Sequence, residues 1–191
     1  IAAKAAEAGV SPQEFCYDLM MQDSGKTVVY FPCFGYGAND LSRQVQLLED
    51  SSTVISLADT GAHCGVLCDA SIPTQMLSYY VRDRERGHRL KLEDVVKMQT
   101  FDTARCVGLE DRGTLEVGMK ADLNLIDFET LQLESPQIIY DLPAGGRRMF
   151  QGASGYIATI VNGEIIMENG KHTGAVPGAL IRGAQPAPKA A

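Results

Sequence analysis

The hydrophobic period of this chain changes near Gly108, and that change limits the folds open to it. Before Gly108, apolar residues recur at helical spacing in several segments separated by short apolar runs. Phe15 and Leu19 mark one helix, opened by Ser11-Pro12-Gln13-Glu14, in which Ser11 caps and Pro12 suits the first helical position. Asn39 or Asp40 caps a second helix, with Leu41, Val45 and Leu48 on its inward face. A third runs from about Pro73 to Arg86 along Leu77, Tyr80, Val81 and Arg84, and a fourth from Glu93 to Val107, closed by Gly108. Val28–Phe31 and Thr53–Ala58 read as buried strands, and strand–helix alternation implies a parallel sheet. After Gly108 the period becomes two. Ala121–Asp127 alternates, and Tyr156–Val161 and Glu164–Met167 flank Asn162-Gly163, a strong hairpin signal. The reading is α/β, with an α/β part over residues 1–108, a small antiparallel β unit over 109–183 and a flexible tail over 184–191.

Composition removes several function classes. The formal charge of −7 disfavours nucleic acid and anionic membrane as partners, and no run of apolar residues is long enough for a helical membrane span. The 45% apolar content suffices for a real core. The five cysteines have no zinc-ribbon spacing and read as reduced thiols of a cytoplasmic protein with no secretory signal. His63, Cys64 and Cys68 could converge as a metal clip, although small buried residues of a tight loop are the simpler reading. The charged run Arg82-Asp83-Arg84-Glu85-Arg86 reads as a solvated helix face with i,i+3 and i,i+4 pairs. Asp111, Arg112 and Asp122 read as turn and strand-edge residues.

Asp59 is the leading candidate for chemistry. It stands where the strand Thr53–Ala58 would end, before a glycine-containing loop. In β/α barrels, active sites are built on the loops at the C-terminal ends of the strands. A carboxylate there can bind a metal or move a proton; a capping or turn aspartate is the alternative.

Seven blocks, in order, carry a resemblance. They are Ala58-Asp59-Thr60-Gly61-Ala62-His63-Cys64-Gly65, Cys68-Asp69-Ala70-Ser71-Ile72-Pro73-Thr74 and Gly108-Leu109-Glu110-Asp111-Arg112-Gly113, followed by Ala121-Asp122-Leu123-Asn124-Leu125-Ile126-Asp127. Asp141-Leu142-Pro143-Ala144-Gly145-Gly146-Arg147-Arg148, Val161-Asn162-Gly163-Glu164 and Thr173-Gly174-Ala175-Val176-Pro177-Gly178 complete the set. The chain resembles the amidohydrolase superfamily, and within it the D-aminoacylase-like branch of N-acyl-D-amino-acid deacylases, from about Ser11 to Gly183. Relatives often read Ser-Asp at the strand end, where this chain has Ala58-Asp59.

The resemblance implies the last strands of a metal-dependent-hydrolase (TIM-like) barrel over residues 1–108, then part of a small antiparallel β-domain over 109–183. A barrel needs more strands than the two read here, so the chain is expected to be the C-terminal portion of a longer protein. The implied reaction is hydrolysis of the amide bond of an N-acyl-D-amino acid or related amide by metal-activated water. One or two divalent ions, usually zinc, take part. Asp59 falls at the position of metal ligand and general base, and His63 at a loop position that can hydrogen-bond substrate. The histidines His63, His88 and His172 form no His-x-His pair, so most metal ligands are expected upstream and the isolated piece is expected to be inactive. A substrate carboxylate would want an arginine; the loop after Asp59 has none before Arg82, which leaves Gly145-Gly146-Arg147-Arg148 as an alternative anion contact or a surface loop. Expected partners are a small-molecule amide and a second copy or the missing N-terminal portion. An inert amidohydrolase-like scaffold or assembly protein, or a hydrolase of a different amide, stands as the alternative.

Overall fold

A computed structural model describes residues 1–30, 36, 40–56 and 63–188. Helices come first: α1 (Ala2–Ala8), α2 (Pro12–Met21), α3 (Ser42–Leu48), α4 (Ile72–Gln75), α5 (Leu92–Lys97) and α6 (Thr103–Cys106). A π-helical stretch, Met76–Asp83, extends α4, and another, Met98–Asp102, joins α5 to α6. The strands of the described residues follow: β1 (Leu123–Ile126), β2 (Gln132–Leu133), β3 (Gln137–Leu142), β4 (Gly146–Phe150), β5 (Ala153–Ser154), β6 (Tyr156–Val161), β7 (Glu164–Glu168) and β8 (Lys171–His172).

Local chemistry sets several of these ends. Ser11 Oγ accepts from the Glu14 N–H at 3.1 Å, with Pro12 in the first turn of α2. Asp40 Oδ1 accepts from the Ser42 N–H at 2.9 Å and opens α3, and that bond holds the Asp40 carboxyl below its usual range. The turn between β6 and β7 places Asn162 at φ 50° and Gly163 at φ 85°, the left-handed pair that the two-residue hairpin requires.

The strands form antiparallel sheets in the orders β1-β6-β7-β8, β2-β5 and β3-β4. The structure is thus mixed helix and sheet. The parallel sheet expected within residues 1–108 is not formed among the described residues. Val28–Tyr30 and Thr53–Ser56, the described parts of the two expected strands, enter no ladder among the described residues. A barrel strand is held by a neighbour on each side. Here cavities of about 490 and 660 Å³ both border Thr53 and Val54 instead.

One hydrophobic core crosses the change of period. Val45, Met76, Leu77, Tyr80, Leu90 and Val95 come from the helical part, and Leu131, which is 0% exposed, enters from between β1 and β2. Gly155 makes that entry possible: a Cβ there would stand 2.6 Å from the Leu131 Cα, and its φ of 94° suits glycine. Gln185 is tied to the end of the helices, accepting from the Glu110 N–H at 2.7 Å and donating to the Gly108 carbonyl at 2.8 Å.

The run Arg82–Arg86 is not the solvated helix face that its charges suggest. The helical stretch stops at Asp83, and Arg84 is only 1% exposed. Arg84 Nε donates to the Arg86 carbonyl at 2.6 Å and Nη2 to Ser42 Oγ at 3.1 Å, with its guanidinium 5.9 Å from the Tyr80 ring centroid. Arg82 reaches the strands: Nη1 donates to the carbonyls of Phe128 and Glu129, and Nη2 to that of Leu131 at 2.7 Å. A guanidinium has five donors, and backbone carbonyls can accept from them. Two arginines therefore serve as internal ties here.

Candidate functional site

Asp59, the residue assigned both proton transfer and metal ligation on sequence grounds, lies outside the described residues. The loop that follows it is described from His63. His63 is exposed, with φ 55°, and its carbonyl accepts from the N–H groups of Val66 at 2.8 Å and Leu67 at 3.0 Å, which closes a tight turn.

This loop rests on the strands. The Met149 N–H of β4 donates to the Cys64 carbonyl at 2.6 Å. Cys68 Sγ lies 3.7 Å from Gln151 Oε1, and Gln151 Nε2 donates to the Glu134 carbonyl at 2.9 Å. Burial, then the neighbouring Asp69 charge, pushes the Cys68 thiol pKa up, so it stays protonated and able to donate. Ser71 Oγ donates to the Cys68 carbonyl at 2.9 Å, and Thr74 Oγ1 and Tyr156 OH share a bond of 2.8 Å. Between loop and strand lies a cavity of about 300 Å³, walled mainly by Leu67, Ala70, Leu142, Met149 and Phe150.

Arg148 borders the same cavity, but its charge is already matched. Nε and Nη2 donate to the two carboxylate oxygens of Asp141 at 2.8 and 2.7 Å, and the guanidinium sits 5.2 Å from the Phe150 ring centroid. Arg148 holds the Asp141 carboxyl below its usual range. Of the two arginines considered as anion contacts, Arg148 is thus engaged within the hairpin, and Arg147 is exposed. Asp111, Arg112 and Asp122 hold a turn. Arg112 bridges Asp111 and Asp122 at 2.9 Å each, and Asp122 Oδ1 accepts from the Asn162 N–H at 2.8 Å.

The histidines do not converge. His88 pairs with Glu49 at 2.9 Å, and His172 Nδ1 accepts from the Gly174 N–H at 3.0 Å on a different part of the chain. Among the described residues, no group of three or more His, Cys, Asp or Glu side chains could hold a metal ion, His63, Cys64 and Cys68 included. The one zinc ligand that the resemblance implies in this chain, Asp59, lies outside the described residues. Sequence reasoning missed Met149, Gln151, Thr74 and Tyr156 as supports of the loop. Their contacts join residues about 80 apart in sequence, and no local pattern announces them.

The amidohydrolase family model matches residues 27–167, and the chain belongs to that family. The chain is 30% identical over 135 residues to a 5-methylthioadenosine/S-adenosylhomocysteine deaminase of Pelotomaculum thermopropionicum, a match covering 65% of this chain and 30% of that protein. It is 37% identical over 87 residues to a 5'-deoxyadenosine deaminase of Methanobrevibacter smithii, covering 44% of this chain and 19% of that protein. The chain thus spans less than a third of the length of these relatives. A crystal structure of a D-aminoacylase, described as defining a novel subset of amidohydrolases, is similar at 28% identity and a TM-score of 0.40, over 54% of this chain and 19% of that one.

Proposed function

We propose that this chain is the C-terminal portion of a hydrolase of carbon–nitrogen bonds in which Asp59 transfers the proton. The observation that carries this reading is the family match from residue 27 to 167, which encloses Asp59 and the loop behind it. In this reading, residues 1–108 supply the last strands and helices of a β/α barrel and 109–183 part of a small antiparallel β-domain. Zinc is held mostly by residues of the longer protein, with Asp59 as this chain's ligand, and the protein is cytoplasmic.

The proposed chemistry is a balanced proton relay. The water oxygen bonds to the electrophilic carbon while its proton passes to the Asp59 carboxylate. Asp59 then returns that proton to the leaving nitrogen as the carbon–nitrogen bond breaks. His63, exposed at the turn after Asp59, contacts the substrate. For the substrate, the ordered sequence blocks favour an N-acyl-D-amino acid or related amide. The two curated relatives favour a second reading, release of ammonia from an adenosine-type nucleoside, which needs the same relay.

Steady-state kinetics of the full-length protein on N-acetyl-D-amino acids and on 5'-deoxyadenosine test both readings. Asp59→Asn is expected to lower kcat by about 10²–10⁴ with far less change in KM, the range for loss of a general base. A kcat within a few-fold of the parent, in protein that melts normally, would remove Asp59 from the chemistry. Turnover of neither substrate class by the parent would favour the inert scaffold.

A further inference from the structure

Two hairpins of the four-stranded sheet close on the same dipeptide, and their turns are held very differently. Asn162-Gly163 joins β6 to β7 and Asn169-Gly170 joins β7 to β8, each as a two-residue turn with both residues in the left-handed region. All four residues are exposed. The first turn is clasped by the segment just before β1. The Gly163 N–H donates to the Ala121 carbonyl at 3.0 Å, the Asn162 N–H donates to Asp122 Oδ1 at 2.8 Å, and Lys120 Nζ reaches the Asn162 side-chain oxygen at 3.5 Å. In the second turn the Asn169 N–H donates to the Ile157 carbonyl at 2.8 Å, but the Gly170 N–H has no partner among the described residues. This turn also lies at the edge of the sheet. Beyond it β8 contributes two paired residues and the Thr173 N–H bonds the Ile166 carbonyl, whereas β6 and β7 share four paired positions. Edge turns with few bonds are the first parts of a sheet to open.

We propose that Asn169 is a site of spontaneous covalent modification, deamidation with isomerisation to isoaspartate, and that Asn162 is protected from the same reaction by its clasp. An asparagine amide is open to attack by the backbone nitrogen of the next residue, and glycine, with no side chain, crowds that attack least. The Gly170 nitrogen loses its proton to water and bonds to the Asn169 Cγ. The Cγ–Nδ2 bond breaks, and the side-chain nitrogen takes up a proton and leaves as ammonia. Water then opens the resulting five-membered imide at either carbonyl, leaving aspartate or isoaspartate. The sum is amide plus water to carboxylate plus ammonium, with no oxidant or cofactor. At the first turn the Gly163 nitrogen must break its bond to Ala121 before it can attack, which slows the reaction by about 2- to 10-fold, the worth of one hydrogen bond. Isoaspartate inserts a methylene into the main chain of a turn whose length sets strand register, so modification at Asn169 is expected to release β8 from β7.

The test incubates the full-length protein in neutral buffer and maps the modified positions by mass spectrometry. Cleavage after glutamate parts the two turns at Glu164 and Glu168, so each asparagine is read in its own peptide. Aspartate plus isoaspartate at position 169 is expected to accumulate about 2- to 10-fold faster than at 162. In urea, where neither turn is formed, the two rates should converge. Asp122→Ala frees the Asn162 N–H and loosens the clasp, so it should speed modification at 162 by about 2- to 10-fold and leave 169 unchanged. Equal rates in the folded protein, or faster reaction at 162, would overturn the proposal. So would the same ratio kept in urea, because neighbouring side chains and not the fold would then set it. Should Asp122→Ala fail to fold, the folded and urea rates of the parent decide the matter alone.

Discussion

Leu131→Ala is the sharpest test of the way the chain is held together. Leu131 is 0% exposed and belongs to one cluster with Val45, Leu77, Tyr80 and Val95 of the helical part. Ile126, Phe128 and Tyr156 of the β part pack against that cluster. Truncating a fully buried leucine costs about 2–5 kcal/mol, the transfer loss plus the cavity left behind. Collapse around the site is hindered, because the Leu131 backbone touches Gly155 closely and Arg82 fixes its carbonyl at 2.7 Å. The upper half of that range is therefore expected. For a chain of this size it lowers the melting temperature by roughly 7–20 °C. Urea and thermal melts, followed both by far-ultraviolet dichroism and by tyrosine fluorescence, should move together, since the residue joins both parts. Leu115→Ala, at an exposed leucine, should change stability by less than about 0.5 kcal/mol. A loss below about 1 kcal/mol for Leu131→Ala, or a shift of one probe alone, would refute a shared core.

Acid should weaken the fold through Asp83, Asp111 and Asp141, whose carboxyls are held below the ordinary 3.8 by Arg82, Arg112 and Arg148. A depressed carboxylate contributes stability above its unfolded pKa and loses it as pH falls through the folded one, so melting temperature should drop below about pH 4. Arg148→Met should flatten that drop; an unchanged acid limb would contradict it. Tyr80, pushed up to about 12 chiefly by burial, should be the last phenol to ionise, and Tyr80→Phe should remove the highest step of an ultraviolet pH titration. The 191-residue chain is expected to self-associate through its open strand edges and to hydrolyse no acyl-amino acid alone; a monodisperse monomer by light scattering, or turnover by the isolated chain, would count against this.

What the sequence made legible follows the range of the forces involved. The Ser11 cap and the Asn162-Gly163 hairpin are decided by neighbours within a few residues and form as the pattern indicates, and the Asp40 side chain bonds Ser42 in a turn one residue before the helix's own cap position, Leu41. Ladders are different, because a strand needs a partner from elsewhere. Thr53–Ser56 has strand-like composition, yet it enters no ladder among the described residues. Arg84 misled for a related reason: charge density marked it as solvent-facing, and only the tertiary fold supplied the Arg86 carbonyl and Ser42 hydroxyl that let it be buried. Asp59 stands out in the sequence by its place after an apolar run, although it lies outside the described residues, whereas the residues that hold the following loop do not stand out. Met149 and Gln151 look like ordinary strand residues until the loop is laid against them.

The π-helical stretch Met76–Asp83 also bears on how this segment can change length over generations. A π turn accommodates one more residue than an α turn over the same path, so it resembles an absorbed single-residue insertion. Removing one residue there would let ordinary i→i+4 bonding resume and rotate everything beyond by about 100°. Arg82 and Arg84 would then swing away from the Leu131 carbonyl and from Ser42 together. Descendants of this gene should therefore keep the residue count between Met76 and Arg84, while gaps gather in the exposed turn around Glu116 and Val117, which no such contact measures out.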